Sequence, residues 1–452
     1  MSQAPAQTSR PDLPNADSLY ETLERVLGQA RRLGATAAEA SADASRALSV
    51  RVRRGDVESV EFQGDRDLAV TLYNGQRKGS ASTTDLSEAA IQRCIEQAWS
   101  IARLTGEDEW AGLAPAELMA DESPDLDLWH PWTLPVDDAI DVARRCEAAA
   151  LAVDTRIENS DGAEVDTREG ISAYANSHGF MGHQRASTHA FSTSVIARSN
   201  DQMQRDYWYS QARAPADLLE PEAVGRRAGE RTVARMGATT PATTRAPVLF
   251  PPQLARSLFG HFLGAISGGL LYRDASFLKD RVGETIFSPQ VCLAQRPFLL
   301  KGAGSAGFDA EGVATVDRDL VDQGVLGGYL LSSYSARRLG LQTTGNAGGV
   351  FNLTVSPGDQ DLPGLIRQMD RGLLVNELMG QGVSLMTGDY SRGASGFWVE
   401  NGEIAYPVEN ITIASSLQAM FKGIVALGND VDPFSLVRSP SLLIDRMTIA
   451  GA

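Results

Sequence analysis

The dipeptide Asn74-Gly75 constrains the fold most strongly, because it separates two strand-like runs by the length of a tight turn. A type I′ turn requires positive φ at both central residues, and Asn-Gly is the pair that best accepts this backbone. Four runs of alternating or β-branched residues lead up to the turn and follow it: 47–53, 57–63, 68–73 and 76–83. Helical spacing of apolar residues flanks these runs, over 17–33 and 85–104. The segment is therefore predicted as a helix, four strands and a helix.

The same order of elements recurs in the next part of the chain. A connector rich in Pro and acidic residues, 107–135, precedes a predicted helix over 136–153. Strand-like runs follow at 155–164, 171–176, 189–197 and 206–212. A helix predicted over 221–236 closes this second unit. The recurrence suggests a duplicated architecture, although the residues themselves do not form a clear repeat.

The pattern changes after residue 236. The segment 237–246 (GATTPATTRA) has the composition of a linker, and Pro251-Pro252 opens a predicted helix of about 17 residues. Short apolar runs between Gly-rich turns follow, with one late helix over 416–426. The predicted fold is α+β, with N-terminal α/β layers (helix–four strands–helix, twice) before a mostly β C-terminal domain. The boundaries are a disordered lead 1–16, α+β unit 17–106, connector 107–135, α+β unit 136–236, linker 237–246 and β-rich domain 247–452.

Charge and cysteine content restrict the function classes. Lys and Arg number 41 and Asp and Glu number 57, which gives a formal net charge of −16. Binding to nucleic acid or to an anionic membrane is not expected, because both require a basic surface. The three cysteines include no CxxC pair, and the N-terminus lacks the pattern of a signal peptide. The longest uncharged stretch, 257–272, is shorter than the roughly 20 residues of a membrane span, so a cytoplasmic protein is expected.

Histidines are few and poorly spaced for metal binding. A zinc peptidase needs imidazole or thiolate ligands and a carboxylate that activates the bound water. His261 stands on the apolar helix with no Glu within one turn, and is interpreted as a core or interface residue. His183 and His189 share strand parity whereas His178 does not, and no acidic residue is spaced with them. The residues assign no catalytic, cofactor-binding or metal-ligating position, and a site around these last three histidines stays open.

Small-residue loops give no nucleophile or phosphate-binding signal either. The loops 391–395 (SRGAS) and 304–307 (GSAG) are not GxSxG elbows, and 345–349 (GNAGG) has no following Lys-Ser/Thr. Turn chemistry accounts for them. The many predicted strands of the C-terminal half offer edges that could pair with an extended peptide.

Longer strings carry a family resemblance. The run GDYSRGASGFWVENGEIAYPVENITIASSL at 388–417 closely resembles the C-terminal signature of the PmbA/TldE branch of the TldD/PmbA metallopeptidase family. The same branch is matched by three further segments, 324–349, 372–382 and 447–451. The segment 49–83 is similar to the first β layer of the family. The resemblance therefore covers nearly the whole chain.

The resemblance also implies which branch the chain belongs to. TldD-type chains carry a His-Glu-x-x-x-His helix and a late Cys as zinc ligands. The corresponding positions here are Gly260, His261 and Ala265, and the late Cys is missing from 428–443. A shift of one residue would make His261 a ligand, but the Glu and the second His would still be absent. No metal ligand is therefore carried over from the family.

The resemblance implies a non-catalytic role. PmbA/TldE-type chains pair with a zinc-bearing TldD-like subunit, and the complex processes or degrades unfolded peptides. The Gly-rich segments 324–349 and 388–413 would then lie near the substrate cleft or the subunit interface, or serve only as structural turns. Two alternatives remain: a peptide-binding or regulatory homodimer, and a peptidase with an unrecognised site.

Overall fold

The computed structural model describes residues 12–121, 124–199 and 202–451. The chain divides into two compact units. Unit 1 contains the described residues up to Val233 together with Ala310–Ala314, and unit 2 contains Ala234–Asp309 and the residues from Thr315 onward. Most of the predicted disordered lead, 1–11, lies outside the described residues. The finer domain boundaries given above stay a prediction.

Unit 1 is a six-stranded antiparallel sheet with helices on one face. Its helices are α1 (Ala16–Arg32), α2 (Glu88–Leu104), α3 (Val136–Leu151) and α4 (Pro221–Ala234). Its strands are β1 (Ala37–Arg53), β2 (Asp56–Asn74), β3 (Arg77–Thr83), β4 (Ile157–Asn176), β5 (Met181–Ser199) and β6 (Gln202–Ala212). The strand order is β3-β2-β1-β4-β5-β6, so two three-stranded meanders join side by side through β1 and β4.

Each meander has three strands rather than the four predicted. The predicted turn at 64–66 lies inside β2, where it pairs with 44–46 of β1. Similarly, β4 runs without a break through 165–170, and β5 extends the predicted strand 189–197 back through the largely polar segment 181–188. Polar residues and Gly are tolerated there because one face of an antiparallel sheet can meet solvent while the backbone ladder remains paired. The predicted order of helix, strands and helix does occur twice.

Alternation along β1 explains how the layers are arranged. Its even-numbered residues other than the partly exposed Arg46 are buried, with Ala38–Ala44 packed against α1 and α2. Leu48 to Val52, at the other end of the strand, pack against α3 and α4. The odd-numbered residues include Glu39 and Asp43, which are partly exposed. Because side chains alternate between faces, all four helices lie on the same side of the sheet.

Both hairpin turns of the first meander need a residue with positive φ. The Asn74-Gly75 hairpin is confirmed, but Asn74 pairs with Arg77, so the central residues are Gly75 and Gln76. Only Gly75 of these two has positive φ, at 60°, which is the pattern of a type II′ turn rather than the predicted type I′. The type I′ pattern occurs instead at Arg54 and Gly55, with φ values of 52° and 82°.

Unit 2 contains the remaining elements. Its helices are α5 (Pro252–Ala265), α6 (Gly268–Leu271), α7 (Ser333–Leu339), α8 (Leu362–Met369) and α9 (Leu417–Lys422). Its strands are β7 (Thr244–Phe250), β8 (Leu293–Gln295), β9 (Arg318–Asp322), β10 (Val325–Leu326), β11 (Leu353–Val355), β12 (Gly372–Met379), β13 (Asp389–Glu400), β14 (Glu403–Ser416), β15 (Ile424–Leu427), β16 (Val437–Arg438) and β17 (Leu442–Ala450).

These strands form two sheets around one apolar core. The first has the order β14-β13-β12-β7-β17-β15, and an additional β14–β17 pairing closes five of its strands into a ring. The second has the order β10-β9-β8-β11-β16. Between them lie aromatic side chains of α5 and of the segments that follow, and the rings of Phe287 and Phe421 stack 4.2 Å apart. Burial of such large apolar groups is the main stabilisation available to this unit.

The predicted α+β class is confirmed, and several boundaries in unit 2 differ from the prediction. β7 begins at Thr244, within the segment predicted as a linker, because it is a central strand held by β12 and β17. The late helix ends at Lys422, and 424–427 form β15 instead. The helix opened by Pro251-Pro252 has 14 residues rather than about 17. No helix among the described residues is both long and apolar enough to span a membrane.

Candidate functional site

Helix α5 carries Gly260, His261 and Ala265, the three positions that the family resemblance aligns with the zinc-binding helix of TldD-type chains. Proline at its first position suits a helix N-terminus, where the first N–H groups have no intrahelical acceptor. The helix buries one apolar stripe and packs beside β16, which lies within the segment 428–443. The structure thus brings together the two segments in which the resemblance would place histidine and cysteine ligands.

The three residues on α5 differ in exposure. Gly260 is exposed, and a side chain built on it would meet open space. Ala265 is fully buried in the core. His261 is partly buried and is the only one of the three with an atom that can bind a metal.

His261 is held in an environment that favours its neutral form. Its ring packs edge-on against that of Tyr390, with centroids 6.1 Å apart. Its Nε2 atom is buried and has no hydrogen-bond partner among the described residues. Burial lowers the pKa of His261, and the positive charge of Arg392 lowers it further. A lowered pKa keeps the imidazole neutral and makes it a weaker general base than an ordinary histidine.

Tyr390 and Arg392 are two neighbours of His261. Tyr390 is 2% exposed, and burial raises its pKa to about 12, so the phenol stays protonated near neutral pH. Arg392 donates from Nε to the carbonyl of Gly380 at 3.1 Å, which ties β13 to the end of β12. Sequence reasoning missed both residues as neighbours of His261, although both lie within the family-like run 388–417. Their proximity follows from the fold of β13 beside α5.

Hydrogen bonds to the carboxylate of Asp430 hold the segment 428–443 in place. Asp430 accepts hydrogen bonds from the backbone N–H of Ser441 at 2.9 Å and from its hydroxyl at 2.7 Å. Ser441 is completely buried. These bonds fix the approach of the chain to β17, and the segment contains no cysteine.

The side chains present do not fit a catalytic zinc ion. Such a site uses three protein ligands of the His, Cys, Asp or Glu types, with a fourth position left to water. Gly260 and Ala265 supply none, and His261 faces an aromatic ring and an arginine. Across the ranges 12–121, 124–199 and 202–451, no group of three such residues is arranged to hold a metal ion. No step of metal chemistry is therefore derived for this chain.

The histidines of unit 1 lie in separate environments. His183 and His189 do share a face of β5, because the ladder with β4 shows no register shift between them. Six residues along a strand correspond to about 20 Å, too far for a common metal ion. His183 Nδ1 is 2.7 Å from the hydroxyl of Tyr20, and His189 Nε2 is 2.8 Å from the carbonyl of His130. His178 Nε2 is 3.1 Å from the carbonyl of Ala114.

Glycine-rich segments prove to be structured parts of unit 2. The segment 388–413 lies mostly in the β13–β14 hairpin, and the loop 343–349 is organised by the buried Asn346. The amide of Asn346 donates to Gln295 Oε1 at 2.6 Å and to the carbonyl of Gly349 at 2.8 Å. Its oxygen accepts from Thr344 at 2.9 Å and from Arg318 at 3.0 Å. All four hydrogen-bonding positions of this side chain are used.

The serines considered as nucleophiles are likewise engaged in structural contacts. Ser305 donates its hydroxyl to the carbonyl of Leu299 at 2.6 Å. Ser395 lies 3.2 Å from a guanidinium nitrogen of Arg235, which also contacts Glu377 at 2.6 Å. Neither arrangement includes an imidazole, the base that usually activates a catalytic serine.

Known proteins match this chain over most of its length. It matches the domain families described as PmbA/TldA metallopeptidase domain 1 (38–102), central domain (129–236) and C-terminal domain (243–451). It is 46% identical to metalloprotease PmbA of Escherichia coli O157:H7 over 92% of each chain. A PmbA homologue of Haemophilus influenzae is 43% identical over 97% of this chain and 99% of its own. The crystal structure of a proposed modulator of DNA gyrase from Bacteroides thetaiotaomicron has a TM-score of 0.92 and 28% identity, covering 96% of this chain and 99% of that one.

Proposed function

The chain belongs to the PmbA/TldD metallopeptidase family, on its PmbA branch, and we propose that it is the subunit of a peptidase complex that holds no zinc. A TldD-like partner would supply the zinc ion and the carboxylate that activates water. The complex would process or degrade unfolded peptides in the cytoplasm. This chain would contribute a wall of the substrate cleft and part of the interface.

The observation that carries the proposal is the composition of α5 and its neighbour β16. The resemblance would place the zinc ligands of a TldD-type chain on α5 and within 428–443, where this chain presents Gly260, His261 and Ala265 and no cysteine. Hydrolysis of a peptide bond at neutral pH requires an activated nucleophile or water. The neutral His261 beside the protonated Tyr390 supplies neither.

Exposed strand edges support a role in gripping peptides. β6 is an edge strand of the six-stranded sheet in unit 1, and it exposes Met203 and Tyr207 by 59% and 54%. The rings of Tyr207 and Tyr209 stack on this strand, with centroids 6.4 Å apart. An edge strand can add an extended peptide through backbone hydrogen bonds, which requires an unfolded substrate but little sequence preference.

The test is to measure zinc content and peptidase activity of the purified chain, alone and mixed with a TldD-type partner. We expect substoichiometric zinc and no cleavage of an unfolded protein by the chain alone, and cleavage when both chains are present. A partner whose water-activating Glu is replaced by Gln serves as the control and should leave the mixture inactive. Stoichiometric zinc together with cleavage by the isolated chain would overturn the proposal in favour of an unrecognised site. Peptide binding without cleavage, even with the partner, would instead identify a binding or regulatory homodimer.

A further inference from the structure

A small cavity in unit 2 lies between the segment 277–286 and helix α9, with a volume of about 230 Å³. Its floor is apolar and is formed by Phe277, Leu278, Ile286 and Phe421. Phe277 is partly exposed, and its ring packs against that of the buried Phe421, with centroids 6.2 Å apart. A cavity of about 150 Å³ can hold a benzene ring, whereas sites for whole small molecules occupy roughly 300–1,000 Å³. The volume therefore suits one apolar or aromatic side chain.

One wall of the cavity is an unpaired strand edge. The backbone of 283–286 pairs with that of 324–326, which contains β10, at an edge of the second sheet. Glu284 accepts and Ile286 donates in this pairing, at 3.0 Å and 2.8 Å, so Thr285 lies between two hydrogen bonds. The N–H and C=O of such a residue point away from the neighbouring strand. Neither group of Thr285 has a hydrogen-bond partner among the described residues, so both are available to a further strand.

The charges at the rim of the cavity do not cancel. Arg281, Glu284 and Lys422 are the charged residues that line the cavity, and all three are exposed. Arg281 is paired with Glu284 at 3.0 Å. Lys422 forms no ion pair within the described parts of the chain. The rim therefore carries one excess positive charge and attracts an anionic group.

The edge, the floor and the charge together select an extended peptide. A peptide residue opposite Thr285 would exchange two backbone hydrogen bonds with it. The side chains on either side of that residue would point to the same face as the buried Ile286, so an apolar one can enter the cavity. An acidic group of the same peptide would pair with Lys422. A free aromatic molecule would leave the backbone of Thr285 unused, and a basic peptide would be repelled.

We propose that this cavity and the edge at Thr285 bind an extended peptide segment that carries an apolar side chain close to an acidic residue. The function proposed above does not require this site, and the site requires neither zinc nor a partner subunit. Absence of peptide binding would therefore leave the proposed complex untouched, and an inactive complex would leave this site untouched.

The experiment measures peptide binding to the full chain by isothermal titration calorimetry at constant ionic strength. The probes are four acetylated and amidated hexapeptides of Thr and Ser with one Phe at the third position and one Glu at the first, second, fourth or fifth. We expect at least one of them to bind. Replacement of its Phe by Ala should weaken binding by about tenfold or more, because the buried ring is lost. Replacement of its Glu by Gln should weaken binding by about threefold, as for an exposed ion pair.

Backbone pairing has a readout of its own. N-methylation of each peptide residue in turn should weaken binding by about threefold or more at one residue and leave it unchanged at the neighbours of that residue, whose N–H groups point away. Thr285→Pro removes the donor from the protein at an edge position, where proline is tolerated, and should also weaken binding. Thr285→Ala keeps the N–H and is the matched control, with binding unchanged. If Thr285→Pro does not fold, the N-methylated peptides make the same test on the unaltered chain.

Charge reversal tests the rim. Lys422→Glu should weaken binding by about fivefold, whereas Lys78→Glu, the same change at an exposed lysine of unit 1, should leave binding unchanged. The proposal is overturned if no hexapeptide binds, if the Phe can be replaced without loss, or if N-methylation acts equally at every position. Equal losses with the two lysine variants also overturn it. Sedimentation that shows a dimer lost in Lys422→Glu would assign the surface to a second copy of the chain instead.

Discussion

Glu147 on α3 holds the turn between β1 and β2, and its replacement tests how that turn is stabilised. The Glu147 side chain is almost completely buried, with the residue 1% exposed. Its two carboxylate oxygens accept from the backbone N–H groups of Arg54 at 2.8 Å and Gly55 at 2.9 Å. Arg54 has a φ of 52°, which is unfavourable for a residue with a side chain. Arg144, one turn earlier on α3, donates to the carbonyl of Gly55 at 2.9 Å.

The expected loss follows from the two charge-assisted hydrogen bonds. Each bond to a charged group contributes roughly 1.5–3 kcal/mol, and the turn residues themselves are exposed, which favours the lower figure. Glu147→Ala should therefore reduce the free energy of unfolding of unit 1 by about 3 kcal/mol. Glu147→Gln keeps an acceptor oxygen without the charge, and should lose about half as much.

Urea unfolding followed by circular dichroism measures this loss, and hydrogen exchange at 50–58 localises it to the hairpin. Glu58→Gln on the same hairpin is the matched control. The Glu58 side chain is 38% exposed and paired with Arg51 at 3.0 Å, so its replacement should change stability by no more than about 0.5 kcal/mol. Equal stability of the Glu147→Ala and Glu58→Gln proteins would refute the assignment of the turn to Glu147.

Three further predictions follow from buried polar groups. Asn346→Ala removes four hydrogen bonds from a buried loop, so the free energy of unfolding in urea should fall by about 3 kcal/mol. Proteolysis at 343–349 should become faster, and an unchanged urea midpoint would contradict the prediction. The lowered pKa of His261 means that the unfolded chain is protonated first as pH falls, so wild-type stability should decrease below the unfolded pKa of about 6.5. His261→Gln should show a smaller decrease in unfolding free energy between about pH 7.5 and 5.5, and identical slopes would argue against a buried neutral imidazole. Burial raises the pKa of the Cys146 thiol to about 12, whereas Cys292 is partly exposed. Mass spectrometry of the alkylated native protein should therefore find Cys292 modified well before Cys146. The reverse order would be inconsistent with the burial of Cys146.

The sequence predicted local elements well where a single periodicity dominates. The helices α1 to α4 were each predicted within three residues of their observed ends, because their apolar stripes and caps are encoded locally. The hairpin at Gly75 was also predicted, since glycine at positive φ is a local requirement. Strand counts were wrong because β2 and β4 each continue through polar residues that were predicted as turns. Only the neighbouring strand shows that the backbone remains paired there.

The candidate site, like the fold, could be predicted only in part. The family resemblance identified Gly260, His261 and Ala265 without coordinates, because a missing ligand type is visible in an alignment. Their surroundings could not, since Tyr390 reaches His261 only through the placement of β13 beside α5.

The sequence by itself determined the α+β order, the acidic charge and the side chains available for chemistry, because each of these is a property of residue type and local spacing. The tertiary structure alone decided that Phe277 and Phe421 line the same cavity and that Glu147 caps a distant turn. Such pairs depend on strand register and helix packing, which are set by the summed burial of many side chains and not by the residues that meet.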